Sequence, residues 1–163
     1  MAVSAKPRLG RPPAKPVITK TKFAPTSYKQ ALFMNSESFM CVFGGAAGSG
    51  KTFSSLMRFL RYVKDPDFVG YVFRTNATDL KKQGGAFPTA VKMFTAYDPR
   101  VTYTQQPMVI KFPSGATISF TGMDDEAGRK AIQGIEISAA MVDEAANMLE
   151  EDVWWIISRL RPC

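Results

Sequence analysis

The stretch that decides the fold is "VFGGAAGSGKTFSSLM", Val42–Met57, in which a glycine-dense loop separates an apolar run from a helical pattern. Residues 45–52 fit G-x-x-x-x-G-K-[ST], the phosphate-binding loop or P-loop. The glycines allow backbone N–H groups to converge on phosphate oxygens, and the following helix adds the positive end of its dipole. An ordinary glycine turn is the alternative. The strand predicted before the loop and the helix predicted after it favour phosphate binding.

Two side chains of this loop carry the predicted chemistry. The Lys51 ammonium is expected to neutralise the β- and γ-phosphates of a nucleotide, and the Thr52 hydroxyl is expected to coordinate Mg²⁺. The remaining loop residues are expected to contribute backbone contacts. The predicted nucleotide-binding residues of the loop are Gly45, Ala46, Ala47, Gly48, Ser49, Gly50, Lys51 and Thr52.

Composition and charge restrict the class of protein. The chain has 163 residues, no histidine and a net charge of +7, so histidine catalysis and histidine metal sites are excluded. Its two cysteines, Cys41 and Cys163, are expected to be reduced thiols in a cytoplasmic setting. No apolar run approaches the roughly 20 residues of a membrane span, so no membrane contact is expected.

The basic charge is concentrated at the N-terminus. Residues 1–25 hold six lysines and arginines with no acid, together with several prolines. Such a segment buries too little apolar surface to offset its ordering entropy, so residues 1–25 are predicted to be a disordered basic arm. Non-specific attraction to nucleic-acid phosphates is expected of it. Residues 26–163 are predicted to form one domain.

Hydrophobic patterning predicts alternating strands and helices, and hence an α/β fold with a mostly parallel sheet flanked by helices. Continuous apolar runs are typical of buried strands in such a sheet. The predicted strands are Phe39–Phe43, Val69–Phe73 and Ile137–Val142, with a strand pair around Pro113–Gly115. The predicted helices follow the loop, span Ala77–Tyr97 with a break at Gln83–Pro88, and close the chain around Leu149–Leu160.

The second chemical motif is "ISAAMVDEA", in which an apolar strand delivers Asp143 and Glu144 to its C-terminal end. In parallel sheets ligands bind at that edge, so both carboxylates are expected beside the P-loop. Asp143 is expected to hold Mg²⁺ through water, and Glu144 to activate or position the attacking water. A charge preference at a helix N-terminus is the alternative explanation of the pair. The P-loop about 90 residues earlier favours the catalytic interpretation.

A third candidate is Gln30 in "PTSYKQALF". Its amide can donate and accept at once, which matches the N6/N7 edge of adenine. A polar surface residue explains a lone glutamine equally well. The residues alone leave the two interpretations open.

Taken together, these segments resemble the N-terminal ATPase domain of the large terminase subunit of tailed bacteriophages, a P-loop motor that packages viral DNA. The resemblance runs from about Ser27 to the C-terminus and includes "KQALF", "GGAAGSGKT", "VFRTNATDLKKQG" and "SRLRP". The most particular segment is "TGMDDEAGRKAIQGIEISAAMVDEAANM", which leads into the Asp-Glu strand.

The resemblance implies ATP and Mg²⁺ as ligands, with Gln30 as the adenine contact, Lys51 and Thr52 as phosphate and metal ligands, Asp143 for the metal and Glu144 for catalysis. It also implies a homo-oligomeric ring that binds ATP between subunits in the host cytoplasm, with double-stranded DNA, a portal protein and a small terminase subunit as partners. A ring motor needs an arginine finger from a neighbouring subunit. Arg129 is the candidate, although a solvated or DNA-facing arginine is an equal explanation. Arg74 is a second candidate, which a structural ion pair explains as well.

Two departures from the family pattern limit the expectation. Many terminases carry an arginine inside the P-loop at the position that Ala47 occupies here. The sequence also stops soon after the Asp-Glu strand, so the fold is expected to be incomplete at the C-terminus, without the nuclease domain. Two alternatives therefore stay open: another P-loop motor such as a helicase-like ATPase, and a non-hydrolysing nucleotide-binding fragment that needs a separate C-terminal half.

Overall fold

A five-stranded mixed sheet organises the protein, whose computed structural model describes residues 23–46, 48–124 and 126–161. The strand order is β2-β3-β4-β1-β5. Strand β1 pairs in parallel with β4 and β5, whereas β3 is antiparallel to β2 and β4. The strands are β1 Val69–Arg74, β2 Thr102–Gln105, β3 Met108–Lys111, β4 Thr117–Gly122 and β5 Ala139–Val142.

Helices cover both faces of this sheet. They are α1 Tyr28–Asn35, α2 Lys51–Phe59, α3 Ala77–Lys81, α4 Ala86–Tyr97, α5 Glu126–Ala131 and α6 Glu150–Ser158, with a short 3₁₀ turn at Ala145–Asn147. The predicted break at Gln83–Pro88 is confirmed in part: α3 and α4 are separate helices with Gly84, at a φ of 80°, between them, but α4 already begins at Ala86. In the described part of the chain, no helix is long and apolar enough to cross a membrane.

Alternation along β1 divides the core into two clusters. Val72 belongs to the cluster that contains Leu56 of α2 and Phe94 of α4. Its neighbour Phe73 belongs to the other cluster, with Ile156 of α6. Because successive strand residues point to opposite faces, β1 is buried on both sides. The prediction that the continuous apolar run of β1 marks a buried strand is therefore confirmed. The C-terminal end of β1 lies between the two clusters.

The sheet differs from the predicted one in two respects. It is mixed rather than mostly parallel, because the β2–β3 hairpin, of which only β3 was predicted, extends it in antiparallel fashion. The predicted buried strand Phe39–Phe43 is wrong: the segment is irregular, with Phe39 78% and Val42 86% exposed. A strand needs a neighbour for its backbone hydrogen bonds, and the described residues supply none here. Cys41 in this segment is a free thiol, whereas Cys163 and the predicted arm up to residue 22 lie outside the described residues.

The contrast between the two phenylalanines gives a stability prediction. Phe73 is fully buried, so Phe73→Ala is expected to cost about 3–5 kcal/mol of unfolding free energy. Phe39→Ala removes the same atoms from an exposed position and is expected to change that free energy by about 0.5 kcal/mol or less. Urea unfolding followed by circular dichroism measures both. Equal losses for the two variants would contradict the packing described above.

Candidate functional site

In the predicted P-loop, the described residues before Lys51 are irregular, and helix α2 begins at Lys51. Gly48 and Gly50 both have a φ of 76°, in the left-handed region that favours glycine. A Cβ atom on Gly50 would also come within 2.6 Å of Gln30 Nε2. The loop therefore requires glycine at position 50 on two grounds. Ala47 lies outside the described residues.

The Lys51 side chain turns back over the loop. Its Nζ donates hydrogen bonds to the backbone carbonyls of Gly45 at 2.6 Å and Ala46 at 3.0 Å. The ammonium is thus held over residues whose backbone is predicted to contact phosphate. Phosphate oxygens can replace these carbonyls as acceptors, because they carry more negative charge.

A hydrogen bond joins the P-loop helix to strand β5. Thr52 lies in the first turn of α2, and its Oγ1 donates to Asp143 Oδ1 at 3.2 Å. Asp143 directly follows β5 and is fixed there because its backbone N–H bonds to Phe73 O at 2.8 Å. The two predicted metal ligands, 91 residues apart in sequence, are therefore neighbours in space.

Glu144 has an unusual backbone conformation. Its φ of 53° and ψ of 49° place a non-glycine residue in the left-handed region, which costs of order 1–3 kcal/mol. The side chain is half exposed, and its Oε2 accepts bonds from Arg74 Nη2 at 2.9 Å and Asn147 Nδ2 at 3.2 Å. The strained turn directs the chain away from β5 immediately after Asp143. Such conformations are concentrated at functional sites, so the strain is consistent with a functional role for Glu144.

Arg74 stands at the centre of the acidic side chains. Its Nη1 lies 3.1 Å from Asp143 Oδ2, its Nη2 bonds Glu144, and its Nε is 3.6 Å from Asp79 Oδ2. Sequence reasoning considered Arg74 only as a second finger candidate and missed Asn147. The contact could have been predicted from the positions of these residues at strand ends. Arg74 ends β1, the Asp-Glu pair follows the adjacent parallel strand β5, and Phe73 lies opposite Val142.

Gln30 is buried against the P-loop. Its Oε1 accepts from the Thr26 backbone N–H at 2.8 Å and from the Thr26 hydroxyl at 2.9 Å. Its Nε2 donates to the backbone carbonyl of Ser49 at 3.0 Å. Both ends of the amide are therefore bonded within the chain, and Gln30 ties α1 to the loop. Its role as an adenine contact stays a prediction.

Arg129 is bound to helix α6 of its own chain. Its Nη2 lies 2.7 Å from Asp152 Oδ1 and 2.9 Å from Glu151 Oε1, and the Asp152 side chain is 5% exposed. The hydrogen bond that Arg129 donates to Glu151, with the nearby Asp152 charge, raises the pKa of the Arg129 guanidinium. Arg129 also borders a cleft of about 400 Å³ with Thr75 and Asp124. Its predicted finger role remains a prediction.

The oxygen atoms of Thr52 and Asp143 suit a hard divalent cation. Among the described residues, no group of three or more histidine, cysteine, aspartate or glutamate side chains forms a metal site. Mg²⁺ does not need one, since it is commonly bound by one or two protein oxygens together with waters and substrate phosphates. A hydroxyl and a carboxylate beside a P-loop fit that requirement.

The fold is that of large terminases. Among solved structures, the chain is similar to the large terminase of a thermophilic bacteriophage in crystal form 2, with a TM-score of 0.69 and 21% identity, and in crystal form 3, with a TM-score of 0.60 and 20% identity. These alignments cover 83% of this chain but only 36% and 35% of those chains, so the chain spans about a third of their length. No curated protein sequence matches.

The family follows from the sequence itself. Residues 42–162 match the family described as terminase large subunit, T4likevirus-type, N-terminal. The match covers well over half of the chain, from Val42 before the P-loop to residue 162. The chain belongs to this family.

The burial of Asp152 gives a prediction for Arg129. Arg129→Ala leaves a buried carboxylate without its cationic partner, so we expect a clearly lower urea midpoint of unfolding. Glu151→Ala removes the exposed partner and keeps the Arg129–Asp152 pair, so its midpoint is expected to stay close to that of the unaltered protein. Equal midpoints for both variants would contradict a structural role for Arg129.

Proposed function

We propose that this chain is the ATPase part of a terminase large subunit with a P-loop NTPase fold. In this proposal it binds ATP and Mg²⁺, hydrolyses the nucleotide and powers translocation of double-stranded DNA into a viral procapsid. The observation that carries the proposal is the 3.2 Å hydrogen bond between Thr52 and Asp143. It brings the predicted phosphate-binding motif and the acidic motif into one site, and neither motif alone would provide both a phosphate contact and a carboxylate.

The roles in nucleotide binding follow from the chemistry of each group. Lys51 exchanges its two carbonyl partners for phosphate oxygens, and the backbone N–H groups at the start of α2 point to the same anion. Thr52 and Asp143 would hold Mg²⁺ with their adjacent oxygens. When bound, the cation neutralises charge that develops on the phosphates during transfer.

Glu144 is the proposed base or positioning group for the attacking water. Its carboxylate lies beside Asp143 in sequence, and both of its hydrogen bonds within the chain go to one oxygen, Oε2. The other oxygen, Oε1, has no hydrogen-bond partner among the described residues and could accept a proton from water. Arg129 remains the proposed finger toward a neighbouring subunit, on condition that it leaves its partners on α6.

Membership of the terminase family supports the proposed partners and setting. We infer a homo-oligomeric ring with ATP sites between subunits, acting with a portal protein and a small terminase subunit at the procapsid in the host cytoplasm. Residues 26–163 are proposed as the ATPase domain, and the basic residues 1–25 as an arm that favours contact with DNA phosphates.

Lys51→Ala tests nucleotide binding. Because the ammonium is hydrogen-bonded to the loop backbone, where phosphate is proposed to bind, its loss is expected to weaken binding of Mg-ATP about 100-fold or more. Isothermal titration calorimetry with Mg-ATP measures this, and Lys64→Ala, an exposed lysine beyond α2, is the control with unchanged affinity. Unaltered affinity in Lys51→Ala would contradict the assignment of the loop.

Glu144→Gln tests hydrolysis separately from binding. The amide keeps the size of the side chain but cannot accept a proton, so hydrolysis is expected to fall about 100-fold or more while Mg-ATP affinity stays within a few-fold. Single-turnover phosphate release in the presence of double-stranded DNA measures the first quantity and calorimetry the second. The exposed Glu136→Gln is the matched control. Normal turnover in Glu144→Gln would refute the role of Glu144.

A further inference from the structure

The three ion pairs of Arg74 use each nitrogen of its guanidinium for a different carboxylate. Nη1 faces Asp143, Nη2 faces Glu144 and Nε faces Asp79. A guanidinium is a rigid planar fork whose donor directions are fixed, so it sets the relative positions of the groups that it binds. The side chain is also only 20% exposed, which restricts its own movement.

We propose that Arg74 is the positioning residue of this site, which fixes the orientation of both functional carboxylates. The inference rests on the proposed function, because the two carboxylates that Arg74 orients are those proposed for the metal and for hydrolysis. It also replaces the finger role considered for Arg74 from sequence. Three carboxylates of its own chain already engage this guanidinium.

The effect on Asp143 follows from its two oxygens. Oδ2 accepts from Arg74 and Oδ1 accepts from Thr52, so the carboxylate is held from both sides. The torsion that rotates a carboxylate is broad and has no strong preference of its own. Arg74 and Thr52 together therefore fix the rotation of the carboxylate, with one oxygen toward the P-loop helix, where the cation would bind.

The effect on Glu144 is larger because its side chain is 51% exposed. An exposed carboxylate normally samples several rotamers, and ordering it requires a partner. Arg74 and Asn147 both bond Oε2, and Asn147 is in turn held because its backbone carbonyl accepts from the Thr75 hydroxyl at 2.8 Å. Oε1 is thereby kept in one place.

Asp79 keeps Arg74 in place from the far side. It lies in the first turn of α3, a helix capped by the Asn76 side chain, and it also pairs with Lys82. The hydrogen bond from Lys82, with a further contribution from the Arg74 charge, lowers the pKa of Asp79. Asp79 thus stays ionised as an anchor, and the positions of the catalytic carboxylates depend on helix α3.

Arg74→Ala separates positioning from simple structural support. Loss of a guanidinium about 3 Å from Asp143 removes repulsion toward a divalent cation, so Mn²⁺ is expected to bind the ATP complex about tenfold more tightly. Single-turnover hydrolysis is expected to fall about 100-fold, because the carboxylates lose their orientation. Mn²⁺ affinity is measured from the free-ion signal in electron paramagnetic resonance. A merely structural arginine would instead give weaker binding of both Mn²⁺ and ATP.

Arg74→Lys separates orientation from charge. An ammonium keeps the positive charge but lacks the planar fork, so Mn²⁺ affinity is expected to stay within about twofold while hydrolysis remains as low as in Arg74→Ala. This variant also serves if Arg74→Ala fails to fold. Full hydrolysis in Arg74→Lys would overturn the positioning role in favour of charge alone. Arg100→Ala, which removes an exposed arginine paired with Asp98, is the matched control and is expected to change neither quantity.

The same experiment distinguishes the two proposals. No ATP-dependent Mn²⁺ binding by the unaltered protein would overturn the proposed function, and the role of Arg74 with it. Binding by the unaltered protein with identical Mn²⁺ affinity and turnover in Arg74→Ala would overturn the role of Arg74 alone. Tighter Mn²⁺ binding combined with slower hydrolysis would support both.

Discussion

The contact between Thr52 and Asp143 depends on the placement of β1 at the centre of the parallel strands. A single hydroxyl–carboxylate bond contributes only about 1–3 kcal/mol, too little to bring together segments 91 residues apart. Packing does this instead. Leu56 and Phe59 hold α2 against one face of the sheet, and pairing with β1 fixes the end of β5. The hydrogen bond is thus a consequence of the core, and a loss of core packing would separate the two motifs.

Local patterns were sufficient where a short segment determines its own structure. The P-loop helix begins at Lys51 as predicted, because the left-handed Gly50 precedes it, and the Asp-Glu strand ends at the predicted place. The prediction for Phe39–Phe43 is wrong because apolar composition favours burial but supplies no pairing partner: no described strand pairs with the segment, and Phe39 and Val42 are exposed. Strand β2 was not predicted because all four of its residues are exposed, so its sequence has no apolar pattern.

The two candidate arginines show why side-chain roles are harder to predict than elements. Arg74 ends a predicted strand, Arg129 lies in the predicted loop before the Asp-Glu strand, and the sequence makes both of them candidates for a finger toward a neighbouring subunit. Their partners come from segments 69 and 23 residues away, which only the fold brings close. Asp143 and Glu144 lie around Arg74, whereas Asp152 and Glu151 lie around Arg129. One arginine therefore belongs to the acidic motif, and the other links α5 to α6.

The conformation of the loop connects these observations to nucleotide binding. Lys51 already donates hydrogen bonds to two backbone carbonyls. A bound phosphate would therefore add only the difference in free energy between hydrogen bonds to phosphate oxygens and hydrogen bonds to carbonyl oxygens. In the proposed function, the remaining binding energy comes from backbone N–H groups at the start of α2 and from the cation held beside Thr52 and Asp143. Arg74 places a positive charge beside Asp143 Oδ2, whereas Thr52 bonds Oδ1, so in the proposed function Arg74 would lower the affinity of Asp143 for a cation. In the proposed function, nucleotide affinity and metal affinity would therefore both depend on the position of the Asp143 carboxylate.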